Sequence, residues 1–192
     1  MKKIAFLIFG LALALASFAQ NPVKVNNDGF DFDKYKDTMQ EYAIPRFAKS
    51  TDPLVFVEYA LVDIDGDGLS EVWVRSDEGQ DWQGVFSVEG DSVVLLADAD
   101  VASDLQFYKN AVGYSSYISP GRVDEGYSVL KNSRIVASCE MHMEFNIFSD
   151  EQEVYYEDYV VNGKDVDKDT YNTFVIDLGE KITPEPVWHR IQ

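Results

Sequence analysis

The stretch Asp63-Ile64-Asp65-Gly66-Asp67-Gly68-Leu69-Ser70-Glu71 lies between two apolar runs, Val55 to Val62 and Val72-Trp73-Val74. It places four carboxylates and two glycines within nine residues. The flanking runs are rich in β-branched and aromatic residues, so they read as strands, and the polar, glycine-bearing stretch reads as the connection of a hairpin. Leu54 to Val62 is apolar on both alternating faces and is broken only by Glu58. That pattern predicts a strand buried on both sides and central in its sheet.

Working outward, Glu71 to Ser76 is the partner strand, and Asp77-Glu78-Gly79-Gln80-Asp81 is a polar turn. Gly84 to Val88 and Ser92 to Ala97 form the next hairpin around Gly90-Asp91, where glycine supplies the positive φ of a tight turn. Short strands follow at Leu105–Lys109, Val112–Ile118 and Tyr127–Lys131, separated by turns at Asn110-Ala111 and Pro120-Gly121, with a third turn at Asn132-Ser133. The longest strand is Arg134 to Phe148. Ile135, Ala137, Cys139, Met141, Met143, Phe145 and Ile147 share one face, and Arg134, Ser138, Glu140, His142, Glu144 and Asn146 share the other, as in a half-buried antiparallel strand. Ser149 to Gln152 turns it back into Val154–Val161.

Two helices flank these strands. Phe32, Tyr35, Met39 and Tyr42 recur at helical spacing, which predicts a helix at 32–43, started by Asp31 or Asp33 and ended by Pro45. A second is predicted near 168–178. Asp167 is its N-cap, Val166 and Tyr171 form a hydrophobic staple, and Gly179 stands at the C′ position. Val187–Ile191 adds a last short strand. The expected fold is α+β and mainly antiparallel β, a meander with one helix at each end, forming a single domain over 31–192.

The first residues read as processing signal. Lys2 and Lys3 precede an apolar core, Ile4 to Ala16, and Ser17-Phe18-Ala19 supplies a small-residue cleavage site. The expectation is a signal peptide at 1–19, cleaved after Ala19, then a polar flexible arm at 20–30. The protein would be secreted or periplasmic, with no membrane span after cleavage. A retained anchor is the competing reading, but ~20 apolar residues are usual for a span. The ending Ser-Phe-Ala-Gln resembles the signals of Bacteroidota secreted proteins, and without a cysteine near it this is not a lipoprotein signal.

The chain has 192 residues and a net charge of −18. Loss of Lys2 and Lys3 from the 16 basic residues leaves 14 against 34 acidic ones, moving the charge to −20. Such a chain does not bind nucleic acid or an anionic membrane by charge. Its 14% aromatic content argues for a folded core rather than disorder. Cys139 is the sole cysteine, so no intrachain disulfide is available. A divalent cation would relieve the self-repulsion of so acidic a chain.

The nine-residue connection has the chemistry to hold one. Calcium takes six to eight oxygens, and alternate residues of a tight loop turn theirs toward one point. Asp63, Asp65 and Asp67 occupy positions 1, 3 and 5, and Gly68 at position 6 permits the sharp turn. Leu69 at position 7 offers its carbonyl, and Glu71 at position 9 closes the set directly or through water. The expected ligands are Asp63, Asp65, Asp67, Leu69 and Glu71, and the expected ion is Ca2+. Magnesium fits less well, since it prefers a stricter octahedron. An acidic turn without metal is the plain alternative.

The run Asp-x-Asp-x-Asp-Gly-x-x-Glu between strands resembles the calcium loop of FG-GAP or VCBS-type repeats of β-propeller blades. It is also similar to the DxDGDG loops of small secreted bacterial proteins. The resemblance covers residues 56–97 and implies a blade-like unit of four strands near 54–97. Only one such loop is present, whereas a whole propeller needs several. An EF-hand does not fit, because its position 12 would be Val74 and its flanks would be helices. Glu71 stands where Asp is commoner.

Other clusters carry less chemistry. Cys139, Met141, Met143 and His142 include soft ligands suited to Cu(I), but alternation turns His142 away from the sulfurs, which read as a core stripe. No nucleophile, zinc-protease or phosphate-loop motif is present, and carboxylate pairs are too plentiful to single out a hydrolase, so a non-enzymatic protein is expected. Tyr155, Tyr156, Tyr159, Tyr114, Tyr117 and Trp82 are candidates for stacking on a sugar or a protein. Tyr155 and Tyr159 face away from Tyr156. Asp37-Thr38-Met39 and Asp91-Ser92-Val93 resemble short O-glycosylation sequons of Bacteroidota. The reading is an exported, non-enzymatic calcium-binding protein whose ion stabilises a hairpin loop. The alternative is a module that binds an envelope glycan or protein through exposed aromatics.

Overall fold

The computed structural model describes residues 30–47, 55–76, 82–100, 103–119, 121–146 and 154–191. The expected signal peptide, the arm before Phe30 and the turns at 77–81 and 149–152 lie outside the described residues.

Two antiparallel sheets dominate. The first contains β1 (Phe56–Val62), β2 (Glu71–Ser76), β3 (Gln83–Glu89) and β4 (Ser92–Ala99) side by side in chain order. The second contains β5 (Ser103–Tyr108), β6 (Ala111–Ser119), β7 (Arg122–Lys131), β8 (Arg134–Phe145) and β9 (Val154–Val161), again as neighbours in chain order. Three two-residue strands finish the edges. β10 (Lys164–Asp165) pairs with β9, β11 (Lys181–Ile182) with β5, and β12 (His189–Arg190) with β1. The expected mainly antiparallel α+β class is observed, with the meander divided between two sheets.

β1 is not central, contrary to its apolar pattern. Its outer neighbour is only the two-residue β12, aided by the Ile191 amide donating to the Val57 carbonyl. A bulge between Phe56 and Glu58 puts Phe56 with Tyr59 and Leu61 in one apolar cluster, and Val62 joins another. The strand is apolar on both sides because it is covered by layers, not because strands flank it.

Three apolar clusters fill those layers. One lies between the first sheet and the N-terminal segment, and includes Phe32, Met39, Phe56, Val74, Trp82 and Phe86. The second joins the sheets, with Val85 and Leu96 meeting Phe107, Val112 and Leu130. The third lies under the second helix and includes Tyr127, Cys139, Met141, Tyr159 and Tyr171. The sulfur stripe of β8 is therefore core, and His142 faces away from it, with Nδ1 2.5 Å from Asp124.

The N-terminal helix departs from its expected bounds. Phe32–Lys34 form a 3-10 turn, and α1 (Lys36–Phe47) continues through Pro45. Ile44 stays helical before Pro45, so the pre-proline bias that predicts a stop is overridden, and the helix ends two residues after the proline. Asp31 precedes the 3-10 turn without a capping side-chain bond. The aromatic face docks as its spacing implies. Tyr35 Oη donates to the Gly90 carbonyl at 2.8 Å and Tyr42 Oη to the Val93 carbonyl at 2.9 Å, so these residues clip the segment to the β3–β4 hairpin.

The second helix, α2 (Lys168–Asp177), follows its sequence signals. Thr170 N donates to Asp167 Oδ1 at 2.8 Å, and Gly179 (φ +81°) closes the C-terminus with its amide on the Ile176 carbonyl. Val166 packs in the same cluster as Tyr171. Asp167→Ala is expected to cost about 1 kcal/mol. Urea unfolding should show a lower midpoint at an unchanged slope.

Candidate metal centre

The β1–β2 connection begins where the strand pairing of Val62 with Glu71 ends. Two glycines shape it. Gly66 and Gly68 have φ of +72° and +84°, a region that side chains with a Cβ disfavour. These turns wrap the chain so that Asp63, Asp65 and Asp67 each bring one carboxylate oxygen within 4.8 Å of the others. Ile64 does the opposite: its side chain is buried between the sheets. The loop is thus pinned at its second residue by apolar packing.

Backbone N–H groups orient the carboxylates. Asp63 accepts from Gly66 N (2.7 Å) through Oδ1 and from Gly68 N (3.0 Å) through Oδ2. Asp65 Oδ1 accepts from Asp67 N at 3.2 Å, and Asp67 Oδ1 from Leu69 N at 2.6 Å. The second oxygen of Asp65 reaches across to the other sheet, where Ser133 N donates to it at 3.0 Å. Ser133 sits with Asn132 in the two-residue β7–β8 turn, both at positive φ, as a type I′ turn requires. Ser87 Oγ donates to the Ser133 carbonyl at 2.5 Å, and the Arg134 guanidinium pairs with Glu89. The tip of the second sheet is thereby tied to the loop and to β3.

Glu71 behaves differently from the three aspartates. It is 0% exposed, at the start of β2, on the side that faces the second sheet. Its Oε2 accepts from Ile64 N at 2.9 Å. Burial pushes its carboxyl up to about 7. The Ile64 amide and the nearby Ser133 hydroxyl oppose that rise, and the Asp65 charge adds to it. Yet neither Glu71 Oε1 nor Ser133 Oγ has a partner of hydrogen-bond geometry, and Asp67 Oδ2 is likewise buried without one. Burial also raises the Asp67 carboxyl, against the Leu69 amide, with the charges of Asp65 and Asp63 reinforcing the rise.

Of the five expected ligands, Asp63, Asp65 and Asp67 form the convergent group. Leu69 is buried and contributes its amide to Asp67, and Glu71 lies beneath the loop, outside the three-carboxylate cluster. The residues fit a hard cation on two counts: oxygen donors converge, and two buried carboxylate oxygens, Glu71 Oε1 and Asp67 Oδ2, have no hydrogen-bond partner. Ser133, 68 residues from Asp65, had no local signal; only the turn character of Asn132-Ser133 was legible.

No protein-family model, curated protein or solved structure matches this chain. The functional reading therefore rests on the site itself.

The aromatics named from sequence are dispersed. Trp82 is wholly buried, with Nε1 donating to Asp98 Oδ2 at 3.0 Å, and Tyr159 is core. Tyr156 is exposed beside His142 on the opposite face of the sheet, and Tyr114 is half-buried. The side chains of Tyr117 and Tyr155 lie outside the described residues. Among the described residues, no helix is long and apolar enough to cross a membrane.

Proposed function

We propose that this is an exported, non-enzymatic protein whose 63–71 loop binds one calcium ion and that the ion fixes the β1–β2 connection. Asp63, Asp65 and Asp67 are its primary ligands, with the Leu69 carbonyl at position 7. Glu71 compensates the ion from below, directly or through water. The observation that carries this reading is the pair of buried, unpartnered oxygens, Glu71 Oε1 and Asp67 Oδ2, beside three converging carboxylates. Without a cation the partly exposed aspartates repel one another, and the buried Glu71 carboxylate beneath them is left without a counter-charge. The four-stranded meander β1 to β4, with the acidic loop at its first connection, supports a likeness to an FG-GAP or VCBS-type blade unit. The Asp65–Ser133 bond extends the ion's influence to the second sheet.

Thermal melting in calcium and in chelator tests this. A hundredfold excess of ion over Kd stabilises by about 2.7 kcal/mol, a rise of about 5–10 °C in Tm for a chain of this size. Asp65→Asn keeps an acceptor for Ser133 N but removes charge, and should lose most of the rise. Equal Tm of the unaltered protein in calcium and chelator would overturn the proposal.

A further inference from the structure

A groove of about 600 Å³ opens between the inner side of the first sheet and the β5–β11 edge of the second. Trp73, Arg75 and Gln83 line one wall, and Gln106, Phe107 and Lys181 line the other. Its volume lies within the range of small-molecule sites, about 300–1,000 Å³.

Arg75 is the unusual member. Its Cζ lies 3.3 Å from the Trp188 ring centroid and 5.6 Å from that of Trp73. The two indoles, 5.0 Å apart at 64°, hold the guanidinium in one orientation. Burial weakens its hold on its proton, partly offset by the charge of Glu58. Although the chain has 34 acidic residues, Arg75 makes no ion pair among the described residues, and its Nε has no hydrogen bond. Glu58 stands across the strand pair from Arg75 and acts on it by charge without forming an ion pair, so a fixed, partly dehydrated guanidinium keeps its fork of donors for bidentate capture of a carboxylate.

The Gln83 amide shares that polarity. Trp73 Nε1 can only donate, and it donates to Gln83 Oε1 at 3.1 Å, which leaves the Gln83 NH2 as the group free to donate elsewhere. Gln106 is different: its Oε1 accepts from Tyr127 Oη at 3.0 Å on the face of β5 that carries Tyr108, opposite Phe107, so its amide is engaged with the cluster under the second helix. Lys181, exposed at the rim, adds a second positive charge. The groove is therefore rich in donors, with Asp104 as its carboxylate. Its apolar part, Leu105, Phe107 and Trp73, is broader than a bare inorganic anion needs. A pyranose ring presents C–H groups to such a surface and hydroxyl oxygens to the Gln83 amide.

We propose that this groove binds a carboxylate-bearing saccharide, with the uronate carboxyl on Arg75 and a ring hydroxyl on Gln83. The site is separate from the calcium loop, and neither reading depends on the other.

Calorimetric titration of the protein in chelator with trigalacturonate and with a glucuronate trimer tests it, using galactotriose as the neutral control and inorganic phosphate as competitor. Saturable binding of at least one uronate probe is expected, at least tenfold weaker in Arg75→Gln and several-fold weaker in Lys181→Gln, an exposed position that spares the fold. Galactotriose should bind at least tenfold more weakly than the better uronate. Any of four results would overturn the proposal: no saturable heat from either uronate, unchanged affinity in both variants, equal binding of galactotriose, or displacement by phosphate at equal concentration.

Discussion

Glu71→Gln is expected to stabilise the chelated protein by about 3 kcal/mol at pH 8, and to change little at pH 4. The carboxyl is raised from 4.5 to about 7 in the folded chain because burial penalises its charge. Between those values the folded state holds a proton that the unfolded state has released, so stability falls as pH rises. The favourable contribution is complete below pH 4.5 and gone above pH 7, and 2.5 units correspond to about 3 kcal/mol. Glutamine mimics the protonated carboxyl and can still accept from Ile64 N. The variant should flatten this part of the pH dependence and raise the Tm of the chelated protein at pH 8 by about 6–12 °C. In calcium the order should narrow or reverse, because the ion stabilises the carboxylate that the variant lacks. Chemical unfolding of both proteins in chelator from pH 4 to 8 checks this. Parallel pH curves would mean that Glu71 is not a buried titrating group.

Trp82→Ala is expected to cost about 4 kcal/mol and lower Tm by about 8–16 °C. The indole is fully buried, its ring 5.6 Å from Phe56 and 6.2 Å from Phe86. Its backbone exchanges bonds with Ser76: Trp82 N donates to Oγ at 2.8 Å, and Ser76 N donates to the Trp82 carbonyl at 2.9 Å. The β2–β3 pairing thus closes around this residue. Trp82→Phe keeps most of the packing but removes the N–H from Asp98, which is itself 4% exposed. It should cost about 1–3 kcal/mol. Urea unfolding at constant calcium measures both, and losses below about 1 kcal/mol for the alanine variant would contradict the packing account.

Features encoded within a few residues were legible from sequence. The β3–β4 hairpin around Gly90, the strand β9 and the capped helix α2 all follow from local pattern and turn chemistry. So does the convergence of Asp63, Asp65 and Asp67, because alternate residues of a tight loop share a side. Features that depend on distant partners were not. β1 reads as central because periodicity reports burial on both faces, and it cannot say whether a strand or a helix supplies the cover. Pro45 reads as a stop because the residue before a proline disfavours the α region, a local bias that Ile44 overrides within α1. The tie between Asp65 and Ser133 spans 68 residues, and the groove joins β2 and β3 with β5 and β11. Glu71 was recognisable as a donor by its place in the loop. That it lies buried beneath the aspartates follows from which side of β2 faces the second sheet.

The most direct measurement is an isothermal calcium titration at pH 7.5 of the chain and of its Asp65→Ala variant. The account predicts one calcium per chain with affinity in or tighter than the range of extracellular modules, about 10⁻⁴–10⁻³ M, and no detectable binding by the variant. Equal binding by the two proteins, or no calcium heat from either, would contradict it.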